Sequence, residues 1–594
     1  MKRLLWITLC LFCGLYAQTT ITGPNVSGVW TTAGSPYIVQ NEISITANDI
    51  LTIQPGVVVK FEPATRLEVF GQLIASGSST QLIRFESSDT TNWFNENTTD
   101  GGWNGIHIHP YGGSIPDQTI LSYCVLQDVK YGFSNLQNFR NPLWIERGMK
   151  MQNCRITHNQ TSTGIYGAGP AVYAQLYIST DTFKIDKCSF SDNTAHPSII
   201  TVQGSVGYFR ITNTHIYQNF RGSGITGNGC RVLVENNEID NNYAVYDSAP
   251  LYLTTIDAIV RGNNIHHNVS PDHGGITCNY GNTLVENNFI HNNYQSDAAC
   301  GLTEGGGGIN ITCFGSDINN GFFIVRNNII ANNYSALGGG GINVYEAITA
   351  ITNNHIINNH STGFGKSVFI NHPSSKVYMR SNLLYNQTSP GMPDTTGLVH
   401  IYNGSSLWFD YNFIPSGYSR SVVTGFSYML YGDTTHNIIS TNPGLINPTP
   451  DNDYLTDAGQ ADFSLSGSSI CINRGDTVGA FPAMFDYTGN NRFVGIIDIG
   501  AFEYQNIQEP VGIDEAPAAQ LNIYPNPAEM SGGFNVVLPE NKGKIVIYDL
   551  TGKQVFYQPV TQQIQRIDFN PESKGIYLVH FYGKTTYTQK LIIH

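Results

Sequence analysis

One phrase recurs along the chain and restricts its fold more than any other feature. Val285-Glu-Asn-Asn-Phe-Ile-His-Asn-Asn-Tyr294 reappears as Val234-Glu-Asn-Asn-Glu-Ile-Asp-Asn-Asn-Tyr243 and as Val325-Arg-Asn-Asn-Ile-Ile-Ala-Asn-Asn-Tyr334. Its second apolar position gives the anchors Leu126, Ile156, Phe190, Ile216, Ile239, Ile265, Ile290, Ile330, Ile356, Leu384 and Ile414, most of them 23 to 30 residues apart. Self-similarity at such a period is the mark of a solenoid. A helical solenoid needs apolar residues at i, i+3, i+4 and i+7 over a dozen positions, and that pattern is absent. Short apolar strokes separated by Asn-Asn and Gly clusters predict short strands joined by tight bends. Asn suits the bend because it tolerates the left-handed backbone region.

Two columns follow from the register. Two residues before the anchors lie Cys124, Cys154 and Cys188, then Asn237, Asn263, Asn288, Asn328, Asn354, Asn382 and Asn412. Three residues after them lie Asn159, Asn193, Asn219, Asn242, Asn268, Asn293, Asn333 and Asn359. Stacked at ~4.8 Å, identical amides can bond to one another and satisfy polar groups that are costly inside. The three cysteines predict an inward column of thiols, because parallel register does not suit disulfide geometry. Cys300 and Cys313 flank an insertion, where a bridge is the expectation to test.

This pattern is the signature of an all-β fold, a right-handed parallel β-helix, and it resembles the pectate-lyase-like superfamily. Residues 18–118 read as an N-terminal cap with the first coils, and 119–440 as the Asn-ladder repeats. Residues 441–504 contain Asp486-Tyr-Thr-Gly-Asn-Asn-Arg492 and Asp498-Ile-Gly-Ala-Phe-Glu-Tyr504. They resemble the closing segment of bacterial surface β-helix proteins of the choice-of-anchor Q type, although Ile-Asn-Arg replaces the usual Ile-Asp-Ala. The expected role is a terminal cap over the open strand edge. A Pro-punctuated linker, 505–520, leads to 521–594, where alternating apolar residues predict a small β-sandwich. Tyr524-Pro-Asn-Pro527, Asp549-Leu-Thr-Gly552, Gly575-Ile-Tyr-Leu-Val579 and Lys590-Leu-Ile-Ile593 resemble the type A C-terminal sorting domain of the type IX secretion system of Bacteroidetes-like bacteria. That resemblance implies the type IX machinery as partner.

Residues 1–17 read as a signal peptide: Lys2 and Arg3 precede an apolar run to Leu15, with cleavage expected after Ala17. No later stretch is long and apolar enough to form a transmembrane helix. A net charge of −14 with only 12 % charged residues argues against nucleic acid as a partner. The expected location is therefore secreted or cell-surface.

Site residues are harder to read. Tyr243, Tyr294 and Tyr334 share one register position with Phe220 and His360, and rings along a groove can stack on sugars. The competing reading is an interior aromatic stack. Asp247 and Asp272 fall in register four residues before a strand, with Arg221 one coil earlier and His273, Asp297 and Glu304 nearby. Calcium is the ion such carboxylates would take; no other cofactor is indicated. The Asn-Thr-Asp, Asp-Asp and Gly-His-Gly motifs of polygalacturonase-like β-helices are absent. His107/His109 and His266/His267 read as pairs without a carboxylate partner. Three functions stay open: a carbohydrate-binding or surface-interaction protein, a polysaccharide lyase or glycoside hydrolase with unrecognised residues, and an adhesin stalk.

Overall fold

A single coil of this repeat cannot enclose its own apolar side chains; stacking neighbouring coils does so. The computed structural model describes residues 18–505 and 521–593 apart from short interior stretches, the longest being 131–140 and 387–396. The leader 1–17 and the linker beyond Gln505 lie outside the described residues.

Each coil gives one strand to each of three parallel sheets. In one coil Ile276–Asn279 lies in sheet 1, Asn282–Glu286 in sheet 2 and Phe289–His291 in sheet 3. Among the described residues these sheets hold 14, 15 and 16 strands. Register carries from coil to coil, as in Ile276↔Ile309, Val285↔Val325 and Ile290↔Ile330. All eleven anchors are buried in one continuous core. Coiling begins at Thr19–Ile21, which already pairs with Tyr37–Val39.

Each Asn-Asn pair divides the labour of a bend. The first residue takes the left-handed backbone, as in Asn236 (φ 54°), Asn287 (φ 56°), Asn292 (φ 52°) and Asn332 (φ 54°). The second enters a ladder. Asn293 donates from Nδ2 to Asn333 Oδ1 (3.0 Å) and to the Ile265 carbonyl (2.8 Å), while its Oδ1 accepts from the backbone N–H and Nδ2 of Asn268. All four hydrogen-bonding sites of this buried amide are used. The ladder runs unbroken from Asn159 to Asn359. A second runs from Asn237 through Asn412 to Asn437. Its earlier coils carry the thiol column: the Cys154 N–H points at Cys188 Sγ, and the Cys188 N–H at Thr214 Oγ1. Burial pushes the Cys154 and Cys188 thiols well up from their ordinary value.

Among the described residues the closing segment makes its contacts with the flank of the coils. It folds back along the outer face of sheet 3. There Ile329, Ala331, Ile357, Leu383, Tyr385 and Phe413 pack against Ala458, Phe463, Leu465, Cys471, Ile499, Ala501 and Phe502. The reason is chemical: in these coils the residues beside the anchors are apolar, and covering them removes a hydrophobic flank from water. Asn residues in the bends grip the segment. Asn292 and Asn332 donate to the Thr456 carbonyl, Asn358 to Thr449, Asn327 to Phe485 and Asn353 to Asp498.

The resemblance motif of this segment forms a buried charge knot. Arg492 donates to the carbonyls of Gly500 and Ala501 and to Asn327 Oδ1, with Glu503 Oε2 3.7 Å from its Nη1. Asp486 accepts from the backbone N–H groups of Thr488, Asn490 and Glu503; Asp498 accepts from those of Asn473 and Tyr504. Burial raises Glu503 to about 8 and lowers Arg492 to about 10. Ala501 donates its N–H to His355 Nδ1 (2.6 Å), and burial, with the Arg492 charge, takes His355 down to about 3.

Residues 521–593 belong to a second compact unit. A three-stranded and a four-stranded antiparallel sheet enclose a core including Phe534, Ile545, Ile547, Val579, Phe581 and Leu591.

Candidate functional site on sheet 1

Strand alternation sends every second residue outward. In sheet 1 the inward residues Leu67 and Val69, Ile106 and Ile108, and Leu143 and Ile145 leave Glu68, His107 and Trp144 as one outward row, continued by Tyr173. Two positions further along the same strands stand Phe70, His109 and Glu146.

These side chains meet. Glu68 Oε2 lies 2.7 Å from His109 Nε2 and 3.1 Å from His107 Nδ1. The other nitrogen of His107, Nε2, lies 2.9 Å from Glu146 Oε2. Glu146 Oε1 accepts from the Tyr177 hydroxyl (3.3 Å), and Arg66 Nη1 approaches Glu68 Oε1 at 3.4 Å. Burial disfavours the Glu68 carboxylate. The hydrogen bonds of His107 and His109, with the charges of His107 and Arg66, outweigh burial and hold its carboxyl far below the usual range. Burial and the Glu146 charge raise the Tyr177 phenol, and with a neighbouring-tyrosine contribution they raise Tyr173.

Rings frame the cluster. Trp144 stacks on His107 at 4.1 Å, Phe70 on His109 at 3.9 Å, and Tyr173 meets Trp144 edge-on at 6.2 Å. Arg147 fixes the floor by donating to the carbonyls of Phe70 and Gly71. Tyr177 is 51 % exposed, so the ledge opens to solvent.

The histidines read as partnerless in the sequence thus have partners. His107 and His109 lie between two glutamates, because the coil-to-coil register places Glu68 and Glu146 on the strands to either side of theirs. His266 and His267 also gain company: His266 stacks on His291 at 4.8 Å, and His267 and His291 lie 3.8 and 3.9 Å from Asp457 of the closing segment.

The tyrosine column exists, and it faces outward. Phe220, Tyr243, Val269, Tyr294, Tyr334 and His360 pair in sequence along a ribbon of two-residue strands between sheets 3 and 1. Gln295 and Ser335, their strand neighbours, are the buried ones. Tyr243 is 47 % exposed, and Tyr294 and Tyr334 stack at 4.4 Å. Val269 interrupts the column between Tyr243 and Tyr294.

Of the expected carboxylate pair, Asp272 alone is among the described residues. Asp247 lies outside them, as do Glu304 and Cys300. Asp272 is buried, and its carbonyl accepts from the Gly305 N–H. Arg221 aligns with Ala244 rather than with Asp247. Asp297 is exposed, His273 sits against Asn310, and Cys313 is buried.

Comparison with known proteins bears on two parts of the chain. Residues 147–323 match the model of the right-handed beta helix region, and 522–594 that of the secretion system C-terminal sorting domain. The chain is a right-handed parallel β-helix carrying a type IX sorting domain. This β-helix protein is therefore secreted or displayed at the cell surface. No helix among its described residues is long and apolar enough to cross a membrane. A search of curated proteins finds no match. Among solved structures, the periplasmic alginate epimerase AlgG is similar at 12 % identity over 67 % of this chain and 76 % of that one, with a TM-score of 0.22.

Proposed function

We propose that this exported β-helix protein binds polysaccharide on the open face of sheet 1. The observation that carries the reading is the ledge of Phe70, Trp144, Tyr173 and Tyr177 beside Glu68, His107, His109 and Glu146. Sugars present apolar ring faces and hydroxyl edges together, and such a ledge offers aromatic planes next to charged acceptors. The Tyr243–Tyr294–Tyr334 column is a second outward row that a long glycan could follow. The test is glycan-array binding by the folded protein. Joint replacement of Trp144 and Tyr177 by Ala is expected to weaken binding by ~1–3 kcal/mol with an unchanged melt. Loss instead on replacing Tyr243, Tyr294 and Tyr334 would move the glycan to the ribbon.

A polysaccharide-modifying enzyme is the second reading. It is favoured by Glu146, which lies within hydrogen-bond reach of both an imidazole and a phenol, the equipment of proton transfer. Screening against uronic-acid and neutral polysaccharides, with His107→Ala as control, separates the two. A stalk without either property would show neither binding nor turnover.

A further inference from the structure

We propose that Glu68, His107 and His109 bind one divalent transition-metal ion of the zinc class, with Glu146 as the outer partner that orients His107. A His-x-His pair on a strand sends both rings to one face, and the strand beneath adds a carboxylate. One ligand atom from each of the three residues lies within 4.8 Å of the others. Around a tetrahedral ion with bonds of about 2.0–2.1 Å, ligand atoms stand roughly 3.3 Å apart. The Glu68–imidazole distances of 2.7 and 3.1 Å need open by roughly 0.6 and 0.2 Å to reach that spacing.

The two faces of the His107 ring have partners that suit a ligand and its outer support. His107 faces a carboxylate oxygen from each ring nitrogen, and a neutral imidazole carries one N–H. With an ion, Nε2–H donates to Glu146 and Nδ1 is left as a lone-pair ligand. This is the carboxylate–histidine–metal arrangement by which proteins set the tautomer of a ligating ring. Stacking of Trp144 on His107 and Phe70 on His109 holds both ring planes.

Two further groups show what this one has in addition. In His267, His291 and Asp457 the carboxylate stands 3.8 and 3.9 Å away and is about half exposed. In His215, Glu238 and Asp240 a single ring nitrogen faces both carboxylates. Among the described residues, neither has a carboxylate on the far nitrogen of a ligand ring. Imidazole ligands favour zinc-like ions over calcium, which takes oxygen. Three protein ligands leave a fourth position open, as in sites that act on a bound molecule.

Metal binding is measured without glycan, so it stands or falls apart from the polysaccharide reading. The full chain, freed of metal by chelation, is titrated with Co(II) and with Zn(II). The expected result is one equivalent lost in both His109→Ala and Glu68→Gln, with visible Co(II) bands of a tetrahedral site and a zinc-dependent rise in Tm. Glu146→Gln should weaken binding 10- to 100-fold. It keeps the question decidable if His109→Ala fails to fold. His267→Ala should leave the signal intact. Unchanged stoichiometry in His109→Ala, full affinity in Glu146→Gln, or an equal Tm rise with calcium would overturn the assignment.

Discussion

Two clusters of charge in this protein are built from similar residues and differ in what satisfies them. Under the closing segment, Arg492, Asp486, Asp498 and Glu503 are bonded mostly by main-chain groups: the carbonyls of Gly500 and Ala501 and the N–H groups of Asn473, Thr488, Asn490, Glu503 and Tyr504. On sheet 1, Glu68, His107, His109 and Glu146 are bonded to one another through side chains, next to an exposed ledge. Charges tied to the backbone fix a chain path. Charges tied to each other can exchange partners for a ligand. The first cluster is architecture, and the second is the one we propose as binding equipment.

That contrast can be broken by mutation. Arg492→Met strips the knot of its cation and strands the groups that it bonds. Removing one partner of a buried ionic network costs about 3–5 kcal/mol, so the closing segment should become protease-sensitive. Gly500→Ala should act in the same direction, since Gly500 has φ 101° and a Cβ there would meet the His355 ring. Protection of residues 441–504 as in the parent would show that the knot does not hold them.

The ladder gives the next effect. Asn293→Leu leaves Asn268 and Asn333 each short of a partner, at about 1–3 kcal/mol for a stranded buried group. A parent-like melting midpoint would show that the ladder contributes nothing to stability at that coil.

The pH dependence of the knot is a smaller effect with a defined sign. Glu503 is raised from 4.5 to about 8, so between these values the folded state holds a proton that the unfolded state lacks, and stability falls as pH rises. His355 is lowered from 6.5 to about 3, so between these values the unfolded state holds the extra proton, and stability falls as pH falls. Docking of the closing segment should thus weaken on both sides of a mildly acidic plateau. Glu503→Gln should remove the alkaline limb and His355→Asn the acid limb in melts across pH. A variant that keeps its limb would reassign that titration.

The smallest effect belongs to sheet 1. His109→Gln should cost about 1 kcal/mol or less, as for a partly exposed pair. A cost approaching that of Arg492→Met would make the sheet 1 cluster architecture as well.

The sequence displays the solenoid clearly because a ladder demands identical residues at every coil. Asn-Asn pairs are legible for the same reason, with one residue for the bend and one for the ladder. The path of the closing segment was also encoded. Beside the anchors, Arg155, Thr157, His215, Glu238 and Asp240 give way to Phe289, Ile329, Ile357, Leu383 and Phe413, a change from a wet to a covered face. The expectation of an end cap concerned the open edge, whereas the described contacts of the segment are with that flank. The sheet 1 cluster was hidden because its members are unlike and each appears once. Glu68, His107 and Trp144 become neighbours only when Leu67, Ile106 and Leu143 are placed in one register. The repeat phrase does not extend to those early coils, so register could not be read from it.

The return of residues 441–504 onto earlier coils also sets an order of events. Coils can add one by one as the chain emerges, but Ile329, Ile357, Leu383 and Phe413 stay open to water until the closing segment arrives. During that interval the growing rod carries an adhesive side able to join another unfinished chain, a hazard of exposed apolar surface in folding intermediates. Swift completion, or a chaperone holding that side, would then decide how much of the protein escapes aggregation before export.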